Sequence, residues 1–223
     1  HQMGNSSSDF ENASPILLNE QTAFNVFGSE YCLDHPLDLV MKEKMLSFSG
    51  DDFAIKDSNT DQAMFKIKGK VMSLRDKKKL LDMNGNPIGS IKEKHLTMHK
   101  RMYILDNQNK VRVVVRKANY FQLAAAADAW ILKKPLSMDH INKEETKSRP
   151  ADISMGGNWR AKNFIFVQNP EHHVIGKTQR KGMNARNLLG GKQTYHIHVP
   201  AYVDAALLVL LSVTLDEIYK ETD

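Results

Sequence analysis

Cysteine is almost missing from this chain: Cys32 stands alone among 223 residues. A single thiol excludes an internal disulfide framework and fits a reducing compartment, where it is expected to be a small, half-buried side chain. Long apolar runs are missing as well. No stretch reaches the ~20 apolar residues of a spanning helix, and none near the start has the length of a secretory signal. A soluble, cytoplasmic body is expected, peripheral at most at the inner face of the plasma membrane. Positive charge is absent from residues 1 to 30, which hold Asp9, Glu11, Glu20 and Glu30 but no Lys or Arg. Because the whole chain carries a formal +5, that −4 leaves +9 on the remainder. A basic body suits contact with phosphate-bearing surfaces, lipid headgroups or nucleic acid, and no specific nucleic-acid partner is expected.

What is present fits one large domain with its own core, since 41% of the residues are hydrophobic. Residues 1 to 29 are rich in Ser, Asn and Glu, their apolar residues keep no period, and they are expected to form a disordered acidic arm. His1 and Gln2 read as additions ahead of a natural start at Met3, "MGNSSS". Gly4 with Ser8 then satisfies the M-G-x-x-x-[ST] pattern, which makes Gly4 a candidate for N-myristoylation.

From residue 45 the chain repeats itself. "FAIKDSNTDQAMFKIKG" from Phe53, "KLLDMNGNPIGSIKEK" from Lys79 and "MYILDNQNKVRVVVRKA" from Met102 each show a short strand, an Asp, a turn and a second strand. The aspartates are Asp57, Asp82 and Asp106, and "FIFVQNPEHHVIGKTQRK" from Phe164 is a looser fourth copy. Asp followed by residues that tolerate positive φ is hairpin chemistry, so these carboxylates are assigned to turns and not to catalysis. Two stretches interrupt the series. Residues 122 to 134, "QLAAAADAWILKK", have helical composition where a strand would continue the pattern, and either type remains open. Residues 135 to 157 are polar, bracketed by Pro135 and Gly156-Gly157, and read as a long loop.

Near the end, Ala205 to Leu215 is apolar except for Ser212 and Thr214. As a helix it spans about 16 Å, half of a bilayer core, which excludes a membrane-crossing tail. Asp204 is placed to cap it, and Leu207, Leu208, Val209, Leu210 and Leu211 cover every direction, so protein must surround it. In a chain of hairpins, the economical solution is a closed antiparallel barrel threaded by this helix. The expected class is therefore mainly β with one helix.

The order of three hairpins, "GNWRAKNF", "GGKQTYHIHVPAYVD" and an apolar helix ending "LDEIYKE" resembles the LURP-one-related family over about residues 30 to 221. The segments Tyr31 to Asp57 and Thr194 to Ile218 carry the resemblance most specifically. It implies the fold shared with the tubby C-terminal domain and the phospholipid scramblases, about twelve strands around a central hydrophobic C-terminal helix. The long 135–157 stretch and the acidic arm depart from the family pattern.

Enzyme chemistry finds no support. "GGKQT" at 190 to 194 lacks the Gly and the Ser or Thr that a phosphate loop needs, with Arg186 and Gln193 in those places. His196 and His198 share a strand face without an accompanying ligand cluster, and His172-His173 sits in a turn; neither pair is read as a metal site. Nucleophile-elbow, HExxH, CxxC and GxGxxG patterns are absent. A non-enzymatic protein without cofactor or metal is expected.

Basic residues are more informative. Lys77, Lys78 and Lys79 precede a strand, Arg160 and Lys162, two apart on an expected strand, project from one face, and Arg180, Lys181, Arg186 and Lys192 crowd the loop after the fourth hairpin. Clustered cations near anionic lipid contribute about 1 kcal/mol each. The resemblance to tubby-like domains adds phosphoinositide binding through the barrel surface as an expectation. A monomer that works at a membrane surface or as a scaffold, recognising anionic lipid, is thus the leading reading. A protein-binding or transcription-associated adaptor is the alternative, and scramblase-like activity a third, disfavoured because no spanning segment or palmitoylation cluster is present.

Overall fold

The computed structural model describes residues 14–42, 53–68, 76–93, 101–118, 125–141, 146, 148–158, 163–180 and 194–219. Gly4 and the rest of 1–13 lie outside them. The aspartates of the repeat do what turn chemistry asks. Asp57 accepts from the Asn59 amide and the Thr60 hydroxyl at 3.2 and 2.9 Å. Asp82 accepts from the Asn86 amide at 2.7 Å, and Asp106 from the amides of Gln108 and Lys110, both at 2.9 Å. Asp61, Gly85 and Asn109 take the positive φ values, 57°, 88° and 58°, that residues with short polar or no side chains tolerate.

These turns join β2 (Leu37–Lys42), β3 (Phe53–Asp57), β4 (Ala63–Lys68), β5 (Asp76–Leu81), β6 (Pro87–Glu93), β7 (Arg101–Asp106) and β8 (Val111–Lys117) into an antiparallel series. It continues through β9 (Ala125–Leu136), β10 (Ile153–Asn158), β11 (Asn163–Gln168), β12 (His173–Arg180) and β13 (Thr194–Val199). Each strand pairs with the next in sequence, and β13 returns to β2 with Thr194 opposite Lys42 and Val199 opposite Leu37. Twelve strands therefore close into a barrel. Beside it lies β1 (Ser14–Pro15), paired in parallel with the first residues of β12, where β13 is not yet alongside.

The axis of the barrel is α1 (Ala205–Tyr219), every residue of which is buried. Strand alternation supplies its surroundings: Leu37, Leu39 and Met41 of β2 and Tyr195, Ile197 and Val199 of β13 join the helix leucines in one core. The two polar interruptions are internally satisfied. Ser212 donates to the Leu208 carbonyl and Thr214 to that of Leu210, both at 2.7 Å. Gly89 of β6 makes room for the axis, since a Cβ there would lie 3.0 Å from Leu210 Cδ1 and 2.8 Å from the Leu105 carbonyl.

One open assignment is resolved and two expectations change. Residues 122 to 134 are a strand from Ala125 on, because β8 and β10 pair with that segment on both sides and override the helical bias of its alanines. The 135–157 stretch is not loop throughout. β9 runs to Leu136, β10 begins at Ile153, and Ile141 is buried with Tyr103, Leu105, Val111, Val114 and Leu132 in a second apolar cluster, against which Leu136 and Met138 pack.

The disordered arm fails from Ser14 onward. Ile16 and Val26 are buried in the main core, Phe24 donates its amide to the Tyr202 carbonyl at 2.9 Å, and Arg112 donates to the Val26 carbonyl at 2.7 Å. Asp204 joins arm and axis. One carboxylate oxygen accepts the Leu207 amide at 3.0 Å, capping α1, and the other accepts the amides of Val26 and Phe27 at 3.0 and 2.6 Å.

Burial pushes the Asp204 carboxyl above the usual range, opposed by the amides of Phe27, Leu207, Val26 and Ala206. A carboxyl whose folded pKa is raised binds its proton more tightly in the native state. Its contribution to stability is then full below the unfolded value, ~3.9, and is lost as pH rises through the folded one. Thermal melts across that interval should show the parent losing stability relative to Asp204→Asn as pH rises. Asp204→Ala, which removes all three bonds, should be the least stable at every pH.

Candidate anion-binding end of the barrel

Antiparallel winding gives the barrel two unlike ends. At one, where α1 begins, strands are joined through residues 58–62, 82–86, 107–110, 137–152, 169–172 and, leading into the helix, 200–204. These hold four Lys and Arg against eight Asp and Glu. At the end toward which α1 points its C-terminus, strands are joined through 43–52, 69–75, 94–100, 119–124, 159–162 and 181–193. These hold ten Lys and Arg against three Asp and Glu. The connections at the two ends thus differ in the sign of their formal charge.

The predicted basic residues distribute accordingly. Arg160, Lys162, Lys181, Arg186 and Lys192 belong to connections of the cationic end and lie outside the described residues. Lys77 is the second residue of β5, and Arg180 ends β12 opposite Tyr195. Lys79 is half-buried, in register with the exposed Lys68 of β4.

Lys78 does not belong to a surface set. It shares the inner face with Leu80, is 6% exposed, and its Nζ lies 3.1 Å from Glu217 Oε1 of the helix. Period-two alternation turns Lys78 inward with Leu80 and Lys79 the other way. Around the same helix end, the Tyr195 hydroxyl donates to Asp216 at 3.4 Å, and Lys117 Nζ stands 5.0 Å from the centroid of the Tyr219 ring.

Among the described residues the reactive side chains are not grouped for a reaction. Among the described residues no three His, Cys, Asp or Glu are grouped to hold a metal ion. The nearest approach to a catalytic array is Asp38 Oδ2, which accepts from the Ser58 hydroxyl at 2.8 Å and meets His196 Nδ1 at 2.9 Å. The serine touches the carboxylate and not the imidazole, so no base is positioned to activate it. His198 is exposed, its pKa lowered by partial burial and by Lys177, and His172 occupies a turn at φ 55°. The Cys32 thiol lies 3.7 Å from the Phe24 carbonyl and is pushed up to about 12 by burial, far from a reactive thiolate.

One feature of the cationic rim escaped the sequence reading. Arg101 of β7 and Arg116 of β8 stand opposite each other, and the Arg116 guanidinium carbon lies 5.5 Å from the Trp130 ring centroid. Counting outward from the Asp106 turn would bring the two arginines into register within a residue, so a signal was there.

No helix among the described residues is long and apolar enough to cross a membrane. Comparison with known proteins agrees with the architecture. The family model described as LURP-one-related matches residues 37–216. Protein LURP-one-related 15 of Arabidopsis thaliana is 27% identical over 200 residues, covering 88% of this chain and 86% of the relative. Protein LURP-one-related 10 of the same plant is 24% identical, over 88% of this chain and 97% of the relative. An X-ray structure of an Arabidopsis thaliana protein superposes with a TM-score of 0.60 at 22% identity, covering 87% of this chain and 98% of that one. A barrel closed from β2 to β13 around α1, matched by the family model over nearly all of that span, makes this chain a member of the LURP-one-related family.

Proposed function

We propose that the protein is a non-enzymatic, monomeric membrane-surface protein that recognises anionic lipid, phosphoinositides included, through the cationic end of its barrel. The observation that carries this reading is the sorting of charge, ten cations against three anions in the connections at one end and four against eight at the other. At about 1 kcal/mol for each Lys or Arg near an anionic leaflet, such an excess is enough for reversible adsorption and is screened by salt. Closure of the wall leaves no long strand edge for a second copy, which fits a monomer.

Co-sedimentation with vesicles at two salt concentrations tests the reading. Phosphatidylcholine vesicles containing phosphatidylserine or a phosphoinositide should pull down the protein at low salt and release it at high salt. Lys181→Gln/Arg186→Gln/Lys192→Gln should weaken binding by about 3 kcal/mol, on the order of a hundredfold. Equal sedimentation with neutral and anionic vesicles at low salt would end the lipid reading and leave the protein adaptor in its place.

A further inference from the structure

Arg101 opens β7 and Arg116 is the last but one residue of β8, so both stand at the rim of the cationic end. Directly opposed residues on neighbouring strands bring their side chains within ~5 Å, and like charges there repel. Arg101 is 7% exposed, and among the described residues no carboxylate forms an ion pair with it. Arg116 has a buried Nε without a hydrogen-bond partner, and it rests over the Trp130 ring. Asp128, in register with Arg116 on β9, acts on it electrostatically but forms no ion pair with it, and its Oδ1 accepts the Ser154 hydroxyl at 3.1 Å; it leaves the repulsion from Arg101 in place. Buried charge without a partner is costly unless something else is meant to occupy the place. Two planar forks of N–H donors side by side, one backed by an indole, suit a tetrahedral oxyanion that accepts from both.

We propose that the Arg101–Arg116 pair beside Trp130 is a binding site for a phosphomonoester, whose oxygens bridge the two guanidinium groups. The site rests on the reading of this end as an anionic-lipid surface and gives that surface a place for one headgroup phosphate. A lipid headgroup and a free phosphate compound present the same chemistry, and the two can be told apart.

The full chain carrying Trp159→Phe keeps Trp130 as its only indole, since the sequence has two. Its fluorescence should change saturably on titration with phenyl phosphate or inorganic phosphate, against chloride at matched ionic strength. Arg101→Gln and Arg116→Gln, each leaving one fork, should weaken that response about tenfold or more, the scale of a charge-assisted hydrogen bond. Their melting temperatures should stay at or above the parent's, because like-charge repulsion is relieved, which separates a lost ligand from a lost fold.

If the natural source is a lipid, phosphatidylcholine vesicles doped with phosphatidylinositol 4-phosphate should be preferred over phosphatidylserine vesicles of equal charge, and both variants should lose the preference. If the source is a free phosphate compound, the titration succeeds without that preference. Absence of a saturable response to both phosphate probes, or an unchanged response in Arg101→Gln/Arg116→Gln, overturns the site. Failure of the broader reading looks different: the parent would fail to distinguish anionic from neutral vesicles, whatever the titration gives.

Discussion

Leu210→Asp should leave the protein unable to fold. Leu210 is 2% exposed at the middle of α1, facing Gly89 across the core. Removing the leucine alone has a typical cost of about 2–5 kcal/mol, and an unpaired carboxylate in its place adds several more. Together these match or exceed the whole stability of an ordinary domain, about 5–15 kcal/mol. Expression trials should find Leu210→Asp in the insoluble fraction, whereas Leu210→Met, of similar volume, should lose less than about 1.5 kcal/mol. A soluble Leu210→Asp protein with a cooperative melt near the parent's would refute a central helix.

Lys78→Met should be nearly as damaging, for an electrostatic reason. The Lys78 and Glu217 side chains are 7% and 11% exposed, so deleting the ammonium removes a charge partner from a carboxylate deep in the barrel. Breaking a buried pair from one side typically costs about 3–5 kcal/mol, but replacing both members with apolar residues of similar volume is often neutral or stabilising. Lys78→Met/Glu217→Leu should therefore recover most of the loss in a denaturant melt. Additivity of the two single losses would show that the pair is not coupled. The same comparison bears on function, because a lysine held inside by Glu217 should leave vesicle binding untouched when both residues are exchanged.

Much of the fold was legible because its signals are local. Asp57, Asp82 and Asp106 each answer to donors within four residues, and an all-round apolar segment of helical length can only be an axis when it cannot span a membrane. What escaped was bonded at long range. The amide of Val26 meets a carboxylate 178 residues away, and no periodicity within the arm could announce that. The alanines of β9 carry a helical preference that pairing on both flanks defeats.

The candidate site was legible in kind and not in arrangement. Composition reveals the excess of cations, yet only strand order assigns ten of them to the connections of one end. Lys78 was misplaced by treating "KKK" as a block, where counting inward from Leu80 turns the middle lysine toward the helix. Arg101 and Arg116 were passed over because each looks unremarkable until the hairpin lays them side by side.

The separation of charge also gives the molecule a heading. A body positive at one end and negative at the other experiences a torque in the field of an anionic leaflet, so it should arrive with its axis upright and the Tyr219 end leading. The root of the N-terminal segment then faces the wrong way, because Ser14 pairs with His173, the first residue of β12, at the trailing end. A six-residue strand is about 20 Å tall. The nine residues between Gly4 and Ser14 let the two stand at most about 35 Å apart when extended. An acyl chain on Gly4 could share a bilayer with the leading end only by running that tether back down the outside of the wall. Tether length, more than the strength of either anchor, would then decide whether the two work together, and shortening residues 5 to 13 should uncouple them.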